Sequence, residues 1–325
     1  MRFVVLGAGA VGGVVGGRLF QYGQDVVLLA QGAHAKAIAA EGLTLASATG
    51  VVTLPIPVAE GPSEVAWGPD DVVLMAVKSQ DTEEAVRELS ASAPLATPVV
   101  CMQNGVANEA VALRRFQNVY AVCVMCPAAH LEPGVVVAES SPMTALLDIG
   151  RYPEGVDRTA EAIAEALNAS TSESVPREDI MRWKYTKLLS NLVNAVDALC
   201  GPEGRSSRLA HLAREEGRHV LQAAGIAFVS HEQDRARRGD RLNPTEVVGY
   251  GRGGSSSWQS LARSTGTIEA DYLNGEVVLL GRLHGIPTPV NELLRQLANQ
   301  KARGHSKPGT MTPEEVLALL GQPVA

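Results

Sequence analysis

The tightest constraint on this chain sits in its first dozen residues. Gly7-Ala8-Gly9-Ala10-Val11-Gly12 is a G-x-G-x-x-G turn, placed directly after the apolar run Arg2–Leu6 and directly before a helical pattern, Ala10–Tyr22, that Gly23 closes. In a strand–turn–helix setting each glycine has a task. The first permits the tight turn, the second lets the backbone approach a diphosphate, and the third lets the helix pack closely on the strand. The free N–H groups and positive dipole end of the helix then face the anion. Glycines at such spacing can also serve only to pack a helix on a strand, but the flanking pattern favours a dinucleotide site.

The first half of the chain continues in the same rhythm. Asp25–Leu29 reads as a strand and Ala33–Ala40 as a helix. Leu43–Val58 holds two alternating runs around Thr49-Gly50, a hairpin. Asp70–Val77 is an almost continuously apolar strand, followed by a helix from Thr82 to Ser92 that Pro94 stops. Pro98–Met102 and Val119–Cys126 extend the series, with a helix between them. Such alternation predicts a parallel sheet covered on both faces, a Rossmann-type doubly wound α/β domain. After about Glu178 helical periods take over, at Ile180–Leu199, Ser206–Ala224, Ile268–His284 and Asn291–Ala302, with a shorter helix from Pro244 to Tyr250 capped by Asn243. Gly251–Ser257 reads as a loop, and 304–309 as a turn-rich stretch before a short final helix. The expected organisation is a dinucleotide-binding domain over residues 1–177 and an all-helical substrate and catalytic domain over 178–325.

Composition narrows the partners. At 325 residues the chain has room for two domains, and 46% hydrophobic with 19% charged residues describes a folded protein. A net charge of -7 leaves no basic footprint for nucleic acid. The basic run Arg235–Arg241 is interleaved with Asp234 and Asp240 and reads as a solvated turn. Four cysteines do not make a disulfide scaffold, so a reducing, cytoplasmic setting is expected. Cys123 and Cys126 sit on a strand, where residues three apart point to opposite faces, so two half-buried thiols are expected rather than a redox or metal pair. Met1-Arg2 and the apolar stretch to Gly17 can pass for a signal peptide, but its glycines fall at fingerprint spacing and no A-x-A cleavage site follows the apolar run. No apolar run is long enough to span a membrane, and no metal is expected.

Ligands of open parallel sheets bind beyond the carboxyl ends of the strands. Lys78 follows one such strand and Gln103-Asn104-Gly105 another. A lysine there can meet a cofactor or substrate oxygen, and an asparagine can orient an amide or carboxylate; the plainer readings are a solvated helix-start lysine and a turn asparagine. In the helical half, Lys187, Asn191 and Asn194 are spaced i, i+4, i+7 and share one face of a helix otherwise rich in Leu and Val. If that face lines a cleft, Lys187 is the natural proton donor and the amides hold substrate oxygens. If not, it is the wet side of an amphipathic helix. Hydride addition to a ketone builds charge on oxygen, which a lysine, protonated at neutral pH, can stabilise and protonate.

Taken together, Gly7–Gly12, Val77-Lys78, Asn104-Gly105, Lys187–Asn191, Ser255-Ser256-Ser257, the segment from Thr267 to Gly275 and His284-Gly285-Ile286-Pro287 resemble the ketopantoate reductase (2-dehydropantoate 2-reductase) family over nearly the whole chain. The resemblance implies NADPH-dependent reduction of ketopantoate to pantoate, on the path to pantothenate. It implies Lys187 as general acid and Glu269 as the carboxylate that binds the substrate hydroxyl. Asn104 and Asn191 would position substrate, Ser257 would hold its carboxylate, and Lys78 would lie near the nicotinamide ribose. Gly7, Ala8, Gly9, Ala10, Val11, Gly12, Gln31, Lys78 and Asn104 would contact the cofactor, and Asn194 the substrate.

Two departures bear on this. The family's second amide lies eight residues after the lysine, where this chain has Ala195, with Asn194 one position earlier; that turns the amide by about 100° around the helix. The arginine that meets the 2′-phosphate in the family is Gln31 here. No acid that would repel that phosphate follows the second strand, so NADPH is favoured with NADH open. Two alternatives stand beside the leading reading. One is a reductase of another 2-keto acid or ketone. The other is an NADP(H)-binding sensor without catalysis, against which the presence of both Lys187 and Glu269 speaks. The oligomeric state is left open, a homodimer included.

Overall fold

A computed structural model describes residues 1–250 and 253–320. The chain runs β1 (Arg2–Leu6), α1 (Ala10–Gln21), β2 (Asp25–Leu29), α2 (Gly32–Glu41), β3 (Leu43–Ser47), β4 (Gly50–Leu54), β5 (Val58–Ala59), β6 (Asp71–Met75), α3 (Thr82–Ser90), β7 (Val99–Cys101), α4 (Asn108–Leu113) and β8 (Val119–Met125). It continues through β9 (Ala128–Ala129), β10 (Val135–Ala138), β11 (Ser140–Pro142), β12 (Ala145–Arg151), α5 (Arg158–Asn168) and β13 (Ser172–Glu173). Helices dominate thereafter: α6 (Ile180–Asn191), α7 (Val193–Cys200), α8 (Arg208–Ala223), α9 (His231–Arg238), the short β14 (Leu242–Pro244), α10 (Ser256–Ala262), α11 (Asn274–His284), α12 (Pro289–Arg303) and α13 (Pro313–Ala318).

Among the described residues the chain forms two compact units, one of 1–103, 107–184 and 231–250, the other of 104–106, 185–230 and 253–320. The division therefore passes through α6, between Lys184 and Tyr185, rather than at a single point in the chain.

The first unit is built on an eight-stranded sheet in the order β13-β12-β8-β7-β6-β1-β2-β5. β1 pairs in parallel with β2 on one side (Leu6↔Leu29) and with β6 on the other (Leu6↔Met75), so the strand order reverses at β1. The crevice outside the carboxyl ends at such a point is where doubly wound sheets take ligands. The sheet is not wholly parallel, because β12 runs antiparallel to β8.

Alternation along β1 divides the apolar core in two. Phe3 and Val5 enter a cluster with Val14, Val15 and Leu19 of α1, while Val4 and Leu6 enter another with Val86 and Leu89 of α3 and Phe116. Period-two side chains buried on both faces explain why the strand reads as an unbroken apolar run. Each fully buried Val, Leu or Phe contributes about 1.5–3 kcal/mol of burial free energy.

Two sequence expectations fail at 231–250. The basic run is not a solvated turn. It forms much of α9, and Arg237 is buried, pairing with Asp148 of β12 at 2.6 Å and with Glu173 of β13 at 3.0 Å. Arg177 shares the same Asp148 at 2.9 Å. The helix expected from Pro244 is likewise absent. Leu242–Pro244 is a strand antiparallel to β11, with Asn243 opposite Ser141, and Thr245 N–H donates to Glu139 O. Backbone partners in a distant strand outcompeted the local capping signal of Asn243, whose amide instead bonds Asp240 O. Of the loop expected at Gly251–Ser257, Gly251 and Arg252 lie outside the described residues; Ser255 caps α10, and Ser257 is already helical.

The second unit packs its helices around Leu192, Val196, Leu209, Val220, Leu221, Val277, Leu294 and Leu297. The helix expected at Ile180–Leu199 is broken at Leu192, between α6 and α7, with neither Gly nor Pro at the break. The reason lies elsewhere in the chain. Asn274 Nδ2 donates to the Leu192 carbonyl at 3.0 Å and to Asn291 Oδ1, and Asn291 in turn donates to Ala213 O. A buried relay of amides serves the carbonyl that the helix leaves.

Candidate active site

The glycine turn has the geometry its spacing implies. Gly7 takes φ +100, and a Cβ there would meet Val77 at 2.9 Å. A Cβ on Gly12 would stand 2.1 Å from the Gly7 carbonyl and 2.9 Å from Ala76 Cβ, so α1 packs on the sheet only because Gly12 lacks one. Around Gly9, by contrast, no heavy atom lies within 4 Å of that position. That space opens at the N-cap of a twelve-residue helix with no acidic residue in its first turn. Two glycines are consumed by packing, and the third keeps open a cradle for an anion.

His34 of α2 holds this turn. Gly134 N–H donates to His34 Nδ1 at 2.8 Å, so Nε2 carries the proton and donates to the Ala8 carbonyl, also at 2.8 Å. Its ring is therefore committed to the loop backbone. Gln31, at the N-cap of α2, and Lys36 are both exposed.

Lys78 stands three residues beyond β6 and is half-buried. The segment around it is fastened by a polar network. Gln103 Nε2 donates to Val77 O and Thr82 Oγ1, both at 2.9 Å; Thr82 Oγ1 donates to Asn108 Oδ1, and Asn108 Nδ2 to Ser79 Oγ. These bonds tie the residues after β6 to those after β7. Within the same unit Cys123, on β8, is buried rather than half-buried, and its Sγ donates to the Trp183 carbonyl at 3.6 Å; Cys126 lies just past the strand and is half-buried, and neither is in a disulfide.

In the second unit Asn191, buried at the end of α6, donates through Nδ2 to Asn104 Oδ1 at 2.8 Å. The two asparagines that the sequence picked out on separate grounds are thus in direct contact. Lys187 lies one turn earlier on α6 and is half-buried between the buried Lys184 and Leu188. Asn194 is buried in the first turn of α7, and its carbonyl accepts from Ser255 Oγ at 3.4 Å. Glu269, at only 5% exposure, opens a 3-10 turn, Glu269–Asp271. An acid kept for the helix dipole alone would stand at the surface, so this burial favours a role for the carboxylate beyond the turn.

The α10 region contains a residue that sequence reasoning passed over. Asp197 Oδ2 accepts from Ser255 N–H at 2.7 Å, and Ser255 Oγ accepts from Trp258 N–H, which seats the first turn of the helix. Ser257 is buried at 2% exposure. Its neighbour Ser256 carries a buried Oγ with no hydrogen-bond partner in the protein. A buried hydroxyl without a partner is costly and marks a place where a ligand atom can complete the bond. Only the three-serine run hinted at it, and that run does not say which hydroxyl is left unsatisfied.

Among the described residues no cluster of His, Cys, Asp and Glu could hold a metal ion, and no helix is long and apolar enough to cross a membrane.

A doubly wound sheet with an open glycine cradle at its reversal point, followed by a helical unit bearing a lysine and paired amides, defines a two-unit nucleotide-dependent oxidoreductase. The family description "Ketopantoate reductase PanE/ApbA" matches residues 3–152, and its C-terminal counterpart matches residues 179–302. A 2-dehydropantoate 2-reductase of Halobacterium salinarum is 32% identical over 315 residues, covering 93% of this chain and 99% of that protein. Its namesake from Pyrococcus horikoshii is 27% identical over 318 residues, with 93% and 97% covered. The crystal structure of a PanE/ApbA family ketopantoate reductase from Ralstonia eutropha JMP134 superposes with a TM-score of 0.78 at 27% identity, covering 94% of this chain and 99% of that one. The chain belongs to the ketopantoate reductase family.

Proposed function

We propose that this chain reduces ketopantoate to pantoate with NADPH. The observation that carries the reading is the direct Asn104–Asn191 contact beside Lys187 on α6, in a family member whose Gly9 cradle is open. When bound, the nicotinamide cofactor supplies the hydride. The turn residues Gly7, Ala8, Gly9, Ala10, Val11 and Gly12 take its diphosphate, and Lys78 meets its ribose. Lys187 stabilises the negative charge that develops on the carbonyl oxygen and donates the proton that completes the alcohol. Glu269 holds the substrate hydroxyl. Asn104, Asn191 and Asn194 position the substrate oxygens, and Ser257 together with Ser256 takes the carboxylate.

The Ser256 assignment has its own test. Ser256→Ala is expected to raise the KM for the keto acid about tenfold, as loss of a hydrogen bond to a charged group does, with an unchanged or slightly raised Tm because an orphan hydroxyl is removed. An unchanged KM returns the carboxylate to Ser257 alone.

Cofactor choice rests on Gln31. It offers no positive charge to a 2′-phosphate, and no acid directly follows β2 in the sequence to repel one. Gln31→Arg is expected to raise the NADPH-to-NADH ratio of kcat/KM by about tenfold or more, the worth of one charge-assisted contact. A ratio unchanged by the substitution places phosphate recognition elsewhere.

The whole reading is tested by NADPH oxidation with ketopantoate against a panel of 2-keto acids and small ketones. Preference for ketopantoate supports it. Preference for another 2-keto acid selects the second reading, a paralogue, which the displacement of the second amide from position 195 to Asn194 favours. Cofactor binding without turnover of any carbonyl rejects both.

A further inference from the structure

Lys184 and Glu109 form an ion pair that the chemistry above does not use. Their side chains are 2% and 0% exposed, with Nζ 2.6 Å from Oε1. The same Nζ donates to the Gln103 carbonyl at 2.9 Å and to the Val122 carbonyl at 3.3 Å. The Glu109 contact is an ion pair by distance, since neither carboxylate oxygen makes a hydrogen bond, so the hydrogen bonds of the ammonium go to the two carbonyls. A buried ion pair is seldom more stabilising than packed hydrocarbon of the same volume, so the two carbonyl contacts are where a function is to be sought.

Each carbonyl lies at a break in the sheet ladder. β7 pairs with β8 only as far as Cys101↔Ala121 and then turns away, while β8 runs on through Val122. Lys184 supplies Val122 with a donor beyond the end of β7. The Gln103 carbonyl belongs to the peptide group that leads into Asn104, so Lys184 fixes that peptide plane. One residue on, Asn191 Nδ2 holds the Asn104 side chain at 2.8 Å. Lys184 and Asn191 both belong to α6, two turns apart and on one face, with Lys187 between them on the same stripe.

We propose that Lys184, neutralised by Glu109, is a positioning residue for the reaction. With Asn191 it clamps the Gln103–Asn104 segment at two points along α6 and holds the Asn104 amide in register with Lys187. The proposal rests on the reading of Lys187 and Asn104 as reaction groups. Lys184 itself touches neither substrate nor cofactor. It acts through the peptide it holds, and small displacements of a positioned group are costly to turnover.

The test uses the full chain and separates positioning from stability. Lys184→Met alone strands the Glu109 carboxylate and is expected to lower the Tm. Lys184→Met combined with Glu109→Leu removes both charges and is expected to recover most of that Tm, as neutral replacement of a buried pair does. Under the proposal kcat falls about 30-fold in both variants, while the KM for NADPH stays within about twofold, because the donor to Gln103 is missing in each. A kcat that recovers together with the Tm in the double variant overturns the proposal, and so does an unchanged kcat in the single variant. If the single variant does not fold, the double variant decides alone. The unmutated chain is assayed in parallel: its failure to oxidise NADPH with any 2-keto acid would reject the functional reading itself, and the clamp's role in catalysis with it.

Discussion

Lys187→Ala is expected to lower kcat by about 10²–10⁴-fold while leaving NADPH affinity within about twofold, the signature of a lost general acid. The structure makes this a clean substitution. Lys187 is half-exposed, whereas Leu188 and Leu189 beside it are buried, so truncation removes a charged head and leaves the apolar face of α6 intact. Tm should move little. Lys187→Arg refines the outcome, because a guanidinium keeps the positive charge near the developing oxyanion but holds its protons too tightly to transfer one. Turnover between those of the Ala variant and the unmutated chain would separate charge stabilisation from proton donation. Single-turnover NADPH oxidation reads the chemical step, and fluorescence titration of the nucleotide reads binding. A Lys187→Ala protein that turns over within about threefold of the original has its proton source elsewhere, and Lys187 then reverts to the wet side of an amphipathic helix.

The residues that could be read from the sequence share a property: their chemistry is local. Gly7, Gly9 and Gly12 declare themselves because a strand, a turn and a helix lie within twenty residues of one another, and each glycine answers a demand of that short segment. Lys187 and Asn191 stand out because polar residues at helical spacing break an apolar pattern. Where the partner lies far along the chain, sequence reasoning fails. Arg237 reads as solvated among its neighbours, yet its counter-charge is Asp148, 89 residues away. The break at Leu192 has no Gly or Pro to announce it, because the amide that makes it tolerable is Asn274, 82 residues on. That contact also gives the Asn274-Gly275 part of the family pattern a structural reason, separate from Glu269 five residues before. Lys184 lay on the same stripe as Lys187, but its carbonyl partners sit at the ends of two strands whose pairing no local pattern reveals. Glu109 sits in the first turn of α4, and only its complete burial marks it as the partner of Lys184.

Gly9→Ala and Gly12→Ala are expected to part company, because the motif gives the two positions different tasks. Gly9 has φ −68 and ψ −156, a conformation open to any residue, and a methyl there meets no protein atom within 4 Å. The folded state therefore tolerates alanine, and the reduced freedom of the unfolded chain should raise stability by about 0.4–1 kcal/mol. The methyl does occupy the space that a diphosphate needs to reach the helix N-terminus, so NADPH affinity should fall by about 100-fold or more, roughly 2.7 kcal/mol of lost anion contact. Gly12→Ala acts on packing instead. Its methyl would lie 2.1 Å from the Gly7 carbonyl and 2.9 Å from Ala76, so α1 must lift from the sheet, at a cost of about 1–3 kcal/mol or more. Lower Tm and weaker nucleotide binding should then appear together. Thermal unfolding of both variants, with and without NADPH, distinguishes the cases: the Gly9 variant should show a slightly raised apo Tm and lose the shift that ligand confers on the original protein. If Gly9→Ala binds NADPH as tightly as the unmutated chain does, the space above Gly9 is not where the diphosphate lies, and the turn serves only to pack helix on strand.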